Sequence, residues 1–153
     1  MFTVFDDNHF MREAMKQAQM AFEEDEIPVG AVIVLDHHII ARAYNRTEQL
    51  KDVTAHAEIM AITAASDYLG SKYLKDCTLF VTLEPCLMCA GALKWAQIGR
   101  IVYAAGDDKQ GFMRYGKEVL HPSTQLAYGV MQQESSRLLR TFFKAKRTID
   151  KLL

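Results

Sequence analysis

The order of apolar and polar residues along the chain alternates between the spacing of helices and the spacing of strands. Apolar positions at helical spacing, with capping and stop signals, predict four helices, over residues 7 to 24, 56 to 69, 86 to 97 and 133 to 153. Short apolar runs bounded by turn residues predict five strands, over residues 29 to 35, 39 to 44, 78 to 83, 100 to 105 and 125 to 131. This order predicts an α/β fold with three layers, α/β/α, in which a central mixed sheet of about five strands has helices on both faces and an antiparallel first pair.

Local signals mark several ends of these elements. Asp6 or Asp7 is suited to cap the first helix, because a short acidic side chain can accept a hydrogen bond from a free N–H of the first turn. The segment 36 to 38, Asp-His-His, predicts a hairpin turn between the first two strands. Gly70 is expected to stop the second helix and Gly99 to close the third.

The length and composition indicate one globular domain over residues 1 to 153. Half of the 153 residues are apolar or aromatic, and there is no internal repeat or linker of low complexity. No apolar run approaches the roughly 20 residues that a membrane span needs. The first ten residues also lack the basic and apolar segments of a secretory signal. We therefore expect a cytoplasmic protein without a membrane partner.

The formal net charge of −1 conceals an asymmetry between the two ends. Residues 1 to 26 carry seven acidic residues against two basic ones, whereas residues 137 to 151 carry six basic residues against Asp150. A basic end of this kind can follow a phosphate backbone, although it can also be an ordinary solvated helix face. Near-neutrality therefore does not exclude a nucleic-acid partner.

Two short segments carry chemistry, and each opens a predicted helix. Cys86 and Cys89 are three residues apart, so both sulfurs lie on one side of a first helical turn, a spacing suited to one tetrahedral zinc. His56 opens the preceding helix and supplies a third ligand, which leaves the fourth position of zinc for water and is typical of a catalytic site. Glu58, two residues further on, is then the proton carrier. Both segments should meet where the carboxyl ends of the strands gather.

Other interpretations of these residues remain open from the pattern alone. A Cys-x-x-Cys pair also occurs in redox proteins, although these need no upstream His-x-Glu. A structural zinc would need a fourth protein ligand, for which Cys77 is the spare thiol; its place at the start of a buried strand favours a core position instead.

Beyond spacing, the chain resembles a known family. The segments His-Ala-Glu-Ile-Met-Ala at 56 to 61 and Thr-Leu-Glu-Pro-Cys-Leu-Met-Cys-Ala-Gly-Ala-Leu at 82 to 93 are similar to the zinc deaminases of the cytidine-deaminase-like superfamily, most of all to its bacterial tRNA-specific adenosine deaminases. The similarity continues through residues 27 to 34, 52 to 58 and 137 to 147.

The resemblance implies a function and a set of roles. It implies a cytidine-deaminase-like fold and one Zn²⁺ per subunit on His56, Cys86 and Cys89, where an activated water would attack C6 of adenine and give inosine and ammonia. It implies that Glu58 is catalytic, that the substrate is adenosine at the wobble position of a tRNA anticodon, and that the protein is a homodimer. The substrate-binding residues it implies are Asn45, Ala57, Phe143, Lys146 and Arg147.

The chain departs from the family pattern after Gln110. Many members continue with small residues and a longer insert, whereas residues 112 to 116 here are Phe-Met-Arg-Tyr-Gly and the last strand follows sooner. We expect this shorter and bulkier loop to flank the pocket mouth. An alternative function is therefore a deaminase of a free base or nucleoside (guanine, adenine or cytosine type), in which Phe112 and Tyr115 would close the pocket. A non-enzymatic zinc-binding or RNA-binding module is a further alternative.

Overall fold

A computed structural model describes residues 5–152 of the chain. Its helices and strands follow in the order α1 (Asp7–Glu23), β1 (Gly30–Leu35), β2 (His38–Tyr44), α2 (Thr47–Leu50), α3 (Ala57–Leu69), β3 (Thr78–Leu83), α4 (Leu87–Ala96), β4 (Arg100–Ala105), β5 (Gln125–Tyr128) and α5 (Gln132–Leu152). Two 3-10 turns, Phe112–Tyr115 and Lys117–Val119, lie between β4 and β5. Residue 153, the last of the predicted final helix, lies outside the described residues.

The five strands form one mixed sheet in the order β2-β1-β3-β4-β5. β1 pairs antiparallel with both β2 and β3, whereas β3, β4 and β5 run parallel to one another. The predicted mixed sheet and its antiparallel first pair are confirmed. This topology brings the carboxyl ends of β2, β3 and β4 and the start of β1 to a single rim of the sheet.

Helices cover both faces of the sheet, as predicted. Alternate side chains of β1 face opposite layers: Ile33 packs in a cluster with residues of α3 and α4, whereas Val32 packs with α1. Gly30 lets α1 lie directly on β1, because a Cβ there would overlap the backbone of Ala14 and Ala18. Within residues 5–152 no helix is both long and apolar enough to span a bilayer.

Most of the predicted ends of elements agree with the structure. Asp6 caps α1, and its carboxylate accepts a hydrogen bond of 2.9 Å from the N–H of His9. The hairpin turn is confirmed over Asp36 and His37, which both lie in the left-handed region that a two-residue turn requires. His38, predicted to lie in the turn, is instead the first residue of β2. Gly70 closes α3 with φ of 64°.

Two further predictions about elements are wrong in detail, and one element was not predicted. α4 ends at Ala96 and is closed by Gln97, with φ of 55°, rather than by Gly99. Glycine is required at position 99 for a different reason, because a Cβ there would overlap the carbonyl oxygen of Lys75. β5 ends at Tyr128 instead of residue 131, because the chain turns through Gly129 and enters α5. The short helix α2 was not predicted.

Candidate metal and substrate site

The site forms at the rim where β3 ends and two helices begin. His56 is the residue that precedes α3, and Cys86 is the residue that precedes α4; both have extended backbone conformations. Neither side chain caps its own helix, so the imidazole and the thiol are free to face each other. The predicted convergence of the two helix starts is confirmed.

Three ligand atoms lie together at this rim. The Nδ1 atom of His56 is 3.7 Å from Sγ of Cys86 and 3.5 Å from Sγ of Cys89, and the three atoms lie within 4.8 Å of one another. A tetrahedral zinc with ordinary bond lengths separates a nitrogen ligand from a sulfur ligand by about 3.6 Å. The three side chains therefore fit one zinc ion. Cys77 is buried in the core away from this cluster, so the core interpretation is confirmed.

The ionisation of the two thiols also suits a cation. A hydrogen bond from Cys89 lowers the pKa of Cys86 to about 4, and His56 stabilises the thiolate further. The same hydrogen bond, together with burial, raises the pKa of Cys89. The hydrogen bond to Cys86 also raises the pKa of His56. Without a metal only one thiolate is stable here, whereas a divalent cation stabilises both.

Glu58 lies beside the ligands on the first turn of α3. Its side chain is only 4% exposed. Burial raises the pKa of Glu58 to about 7, and the Cys86 thiolate acts in the same direction. A carboxyl group with a pKa near neutrality can both accept and return a proton, which is the property that a general acid-base residue needs.

The ligands open into a cavity of about 720 Å³. Six of the predicted site residues line it: Asn45, His56, Ala57, Glu58, Cys86 and Phe143. Cys89 is fully buried and does not line the cavity. Asn45 follows β2, and its backbone N–H donates to the carbonyl of Val29 across the start of β1. This places its side chain at the same rim as the ligands.

Lys146 and Arg147 lie outside this cavity. The Nζ atom of Lys146 is 2.6 Å from Oδ2 of Asp25 and 5.5 Å from the ring centroid of Phe142. Lys146 lines a neighbouring cavity of about 770 Å³, which shares Phe143 with the first. Arg147 is exposed and lines neither cavity.

The loop after β4 forms one wall of the cavity, through Gly106, Asp107, Asp108, Lys109 and Gln110. The expectation that the bulky continuation lies at the mouth is wrong beyond Gln110. Phe112 is fully buried and packs edge-on against Tyr103, while Tyr115 is 59% exposed and outside the lining. The N–H of Phe112 donates to the carbonyl of Pro85, which turns the ring into the core. Neither ring closes the pocket.

Sequence analysis missed Glu84, which also lines the cavity. This glutamate follows β3 and is only 7% exposed. Its Oε1 accepts a hydrogen bond from the N–H of Asp107 at 3.1 Å, and its Oε2 accepts one from the N–H of Met113 at 3.0 Å. A charged residue directly after an apolar strand was the available signal, since such residues are rarely buried without partners.

A histidine and two cysteines at paired helix starts, with a buried carboxyl group beside them, define the zinc deaminase class of α/β proteins. The sequence pattern of the cytidine and deoxycytidylate deaminase zinc-binding region matches residues 5–105. The chain belongs to this zinc-binding deaminase family, in the group that includes tRNA-specific adenosine deaminases.

Individual relatives support this placement. A tRNA-specific adenosine deaminase from Agrobacterium fabrum is 46% identical over 147 residues, which cover 93% of this chain and 97% of the relative. A solved structure from a study of A-to-I editing by tRNA:A34 deaminases at the wobble position of transfer RNA superposes with a TM-score of 0.81 and 44% identity, over 86% of this chain and 99% of that one. A guanine deaminase from Bacillus subtilis has a TM-score of 0.63 and 41% identity, over 66% of this chain and 65% of that one.

Proposed function

We propose that the protein is a zinc-dependent hydrolase that converts adenosine to inosine at the wobble position of a tRNA anticodon. The observation that carries this proposal is the cluster of His56, Cys86 and Cys89 opening, beside buried Glu58, into a cavity large enough for a flipped base. Similarity to a tRNA-specific adenosine deaminase over nearly its full length supports the choice of substrate.

The chemistry divides among few residues. His56, Cys86 and Cys89 would hold the zinc ion, which when bound supplies a water of lowered pKa. Glu58 takes one proton from the attacking water and passes it to N1 of adenine; it then takes the second proton from the new hydroxyl on C6 and passes it to the amine, which leaves as ammonia. The net reaction adds one water and releases one ammonia. The raised pKa of Glu58 suits both directions of transfer.

Three residues of the lining orient the base. Asn45 carries both a donor and an acceptor and lies at the rim, so it can pair with one edge of the purine. Ala57 presents only a methyl group to the cavity, which leaves room for the ring beside Glu58. Phe143, on α5, adds an aromatic side chain to the lining, against which a base can stack.

The basic residues of α5 supply the backbone contacts for RNA. Five of them are exposed in the structure: Arg137, Arg140, Lys144, Arg147 and Lys151. Such residues bind phosphates without reading sequence. Lys146 can join them only when its ion pair with Asp25 opens, so Arg147 is the stronger contact of the two.

A second candidate is deamination of a free base, favoured by the 41% identity to a guanine deaminase. Two observations weigh against it. That similarity covers 66% of this chain, and the aromatic rings expected to enclose a small substrate do not reach the cavity. The open cavity is better suited to a base that remains attached to a longer chain.

The test uses purified protein with one zinc per chain. We expect it to release inosine and ammonia from an anticodon stem-loop with adenosine at the wobble position, and to leave a matched stem-loop with guanosine there unchanged. Guanine, adenosine and cytidine are assayed separately. Turnover of a free base without turnover of the stem-loop would overturn the proposal in favour of the second candidate.

We also propose that two copies of the chain associate. The outer face of α4 carries exposed apolar side chains, with Leu87 and Met88 on the first turn and Trp95, 83% exposed, near its end. Gly91 between them has open space above it, and exposed Val53 lies in the loop before α3. A patch of this kind marks a protein interface. We assign it to a second copy, so the homodimer holds one zinc ion in each subunit.

The domain organisation and the location follow from the same proposal. The five strands of the described region share one sheet, and the site draws residues from α3, α4 and α5, so residues 1–153 work as one deaminase domain. A tRNA substrate places this domain in the cytoplasm.

A further inference from the structure

The carboxylate of Glu84 is shared between the two ends of the loop that walls the cavity. One oxygen accepts from Asp107 at the start of the loop, and the other accepts from Met113 just after it. The side chain is nearly fully buried, so these charge-assisted hydrogen bonds replace water. Both oxygens are therefore committed to holding backbone groups 23 and 29 residues away.

The same carboxylate lies against the segment that carries Cys86. Glu84 precedes Cys86 by two residues, and Cys86 itself forms an isolated bridge to Gly111 near the end of the loop. A Cβ at position 111 would overlap the carboxylate of Glu84. The backbone of Gly111, with φ of −65°, is otherwise open to any residue. Glycine is required there because the carboxylate of Glu84 and the backbone carbonyl oxygen of Asp107 occupy the space.

We propose that Glu84 is a positioning residue that fixes the loop over residues 106 to 113, of which residues 106 to 110 line the cavity, and thereby sets the affinity for substrate. This role rests on the proposed function only for the identity of the substrate. Glutamine cannot replace the carboxylate, because it has a single acceptor oxygen and its amide N–H would face a backbone N–H. The wall would then lose one of its two attachments and open into solvent.

Glu84→Gln is the main test, with Glu118→Gln on an exposed turn of the same loop region as its matched control. In Glu84→Gln we expect amide exchange at Asp107 and Met113 to become about tenfold faster or more. We expect KM for the stem-loop to rise at least about fivefold, with less than about a twofold change in kcat. The reason is that the loop contacts the substrate but takes no part in proton transfer. Zinc content should stay at one per chain.

Gly111→Ala tests the same contact from the loop side. The added methyl group displaces the carboxylate, so we expect the faster amide exchange and the higher KM of Glu84→Gln. In the double variant the two effects should be less than additive, because both changes act on one contact. Glu118→Gln should match the wild type in every measurement.

Two outcomes would overturn the role of Glu84. Wild-type exchange at Asp107 and Met113 in Glu84→Gln would show that the carboxylate does not hold the loop. Loss of zinc from that variant, or a fall in kcat with unchanged KM, would show that Glu84 supports Cys86 and the start of α4 instead of the loop. If wild-type protein fails to deaminate the stem-loop, the proposed function fails, while amide exchange and zinc content still decide this inference.

Discussion

At the scale of single residues, burial and hydrogen bonding give neighbouring groups different protonation states. The pKa of Glu58 is raised to about 7 by burial, whereas that of Cys86, in the lining of the same cavity, is lowered to about 4 by the Cys89 thiol. The carboxyl group is therefore able to exchange a proton at neutral pH, and the thiolate is ready to bind a cation. Two side chains of one cavity are therefore suited to different tasks, Glu58 to proton transfer and Cys86 to metal binding.

Replacing Glu58 should separate these two tasks in experiment. We expect Glu58→Gln to keep one zinc per chain and to lower the rate of inosine formation by about 10²–10⁴-fold, since the side chain keeps its shape and loses its proton transfer. Metal analysis and a single-turnover assay check both parts. The exposed Glu23→Gln serves as the control. A variant with full activity would contradict the role of Glu58.

Zinc binding should depend on two of the three cysteines. We expect Cys86→Ser to lose stoichiometric zinc on dialysis, because the thiolate is a ligand that a hydroxyl group replaces poorly. Cys77→Ala is the matched control. It removes a buried thiol from the core and should cost about 1 kcal/mol of stability while keeping one zinc per chain. Zinc loss from Cys77→Ala instead would contradict the assignment of ligands.

The clustering of His56, Cys86 and Cys89 was predictable from sequence, and the wall of the cavity was not. His56 and Cys86 each follow a local signal, a helix start, and the parallel topology brings such starts together. Glu84 and Phe112 owe their positions to long-range hydrogen bonds, from Met113 to Glu84 and from Phe112 to Pro85. A charged residue after an apolar strand indicates that Glu84 has partners, but no local pattern identifies which residues these are. The prediction for Phe112 was wrong for this reason.

At the scale of elements, the contact of α1 with β1 depends on one missing side chain. We expect Gly30→Ala to lower the free energy of unfolding by at least about 2 kcal/mol, because the methyl group meets backbone atoms of Ala14 and Ala18 that cannot move separately. Urea denaturation measures this change. In Gly106→Ala the methyl group meets only Glu84, at 3.6 Å, so that control should stay within about 0.5 kcal/mol of wild type.

The helix α5 should bind RNA through some of its basic residues more than others. We expect Arg147→Ala to reduce the slope of log K against log salt concentration for stem-loop binding by about 0.7–0.9. Lys146→Ala should reduce this slope less, and should cost at most about 1 kcal/mol of stability through its exposed ion pair with Asp25.

Asp25→Asn tests whether the ion pair with Asp25 keeps Lys146 from binding a phosphate. Asparagine accepts the left-handed backbone at position 25, where φ is 62°, so the fold should be retained. The freed ammonium group should then strengthen stem-loop binding. An equal loss of slope in Lys146→Ala and Arg147→Ala would contradict this view, because it would mean that Lys146 leaves Asp25 for a phosphate.

Long helices with a repeated apolar spacing were predictable, and the short helix α2, which depends on a distant side chain, was not. α1 and α5 repeat their apolar stripe over several turns, so their spacing alone identifies them. α2 has only four residues and depends on Glu26, which is buried and accepts hydrogen bonds from the N–H groups of Glu48 and Gln49. Because that carboxylate comes from the segment between α1 and β1, nothing within 47–50 predicts the helix.

At the scale of the whole molecule, the acidic and basic ends of the chain lie next to each other. Phe22 of α1 packs edge-on against Phe142 of α5, and Asp25 pairs with Lys146 beside this contact. The near-neutral net charge therefore combines an acidic end and a basic end that meet at this contact. The other basic residues of α5 are exposed, so they remain available to a phosphate backbone.

The apolar face of α4 provides the last test. We expect the wild type to be a dimer and Trp95→Glu to be a monomer in sedimentation experiments at micromolar concentration, because a glutamate in a closed interface loses its hydration without gaining a partner. Ile149→Glu changes another exposed apolar residue, on α5, and should remain dimeric. A monomeric wild type would contradict the proposal. The uncharged side chains between Leu87 and Gly91 and the open space above Gly91 fit such an interface.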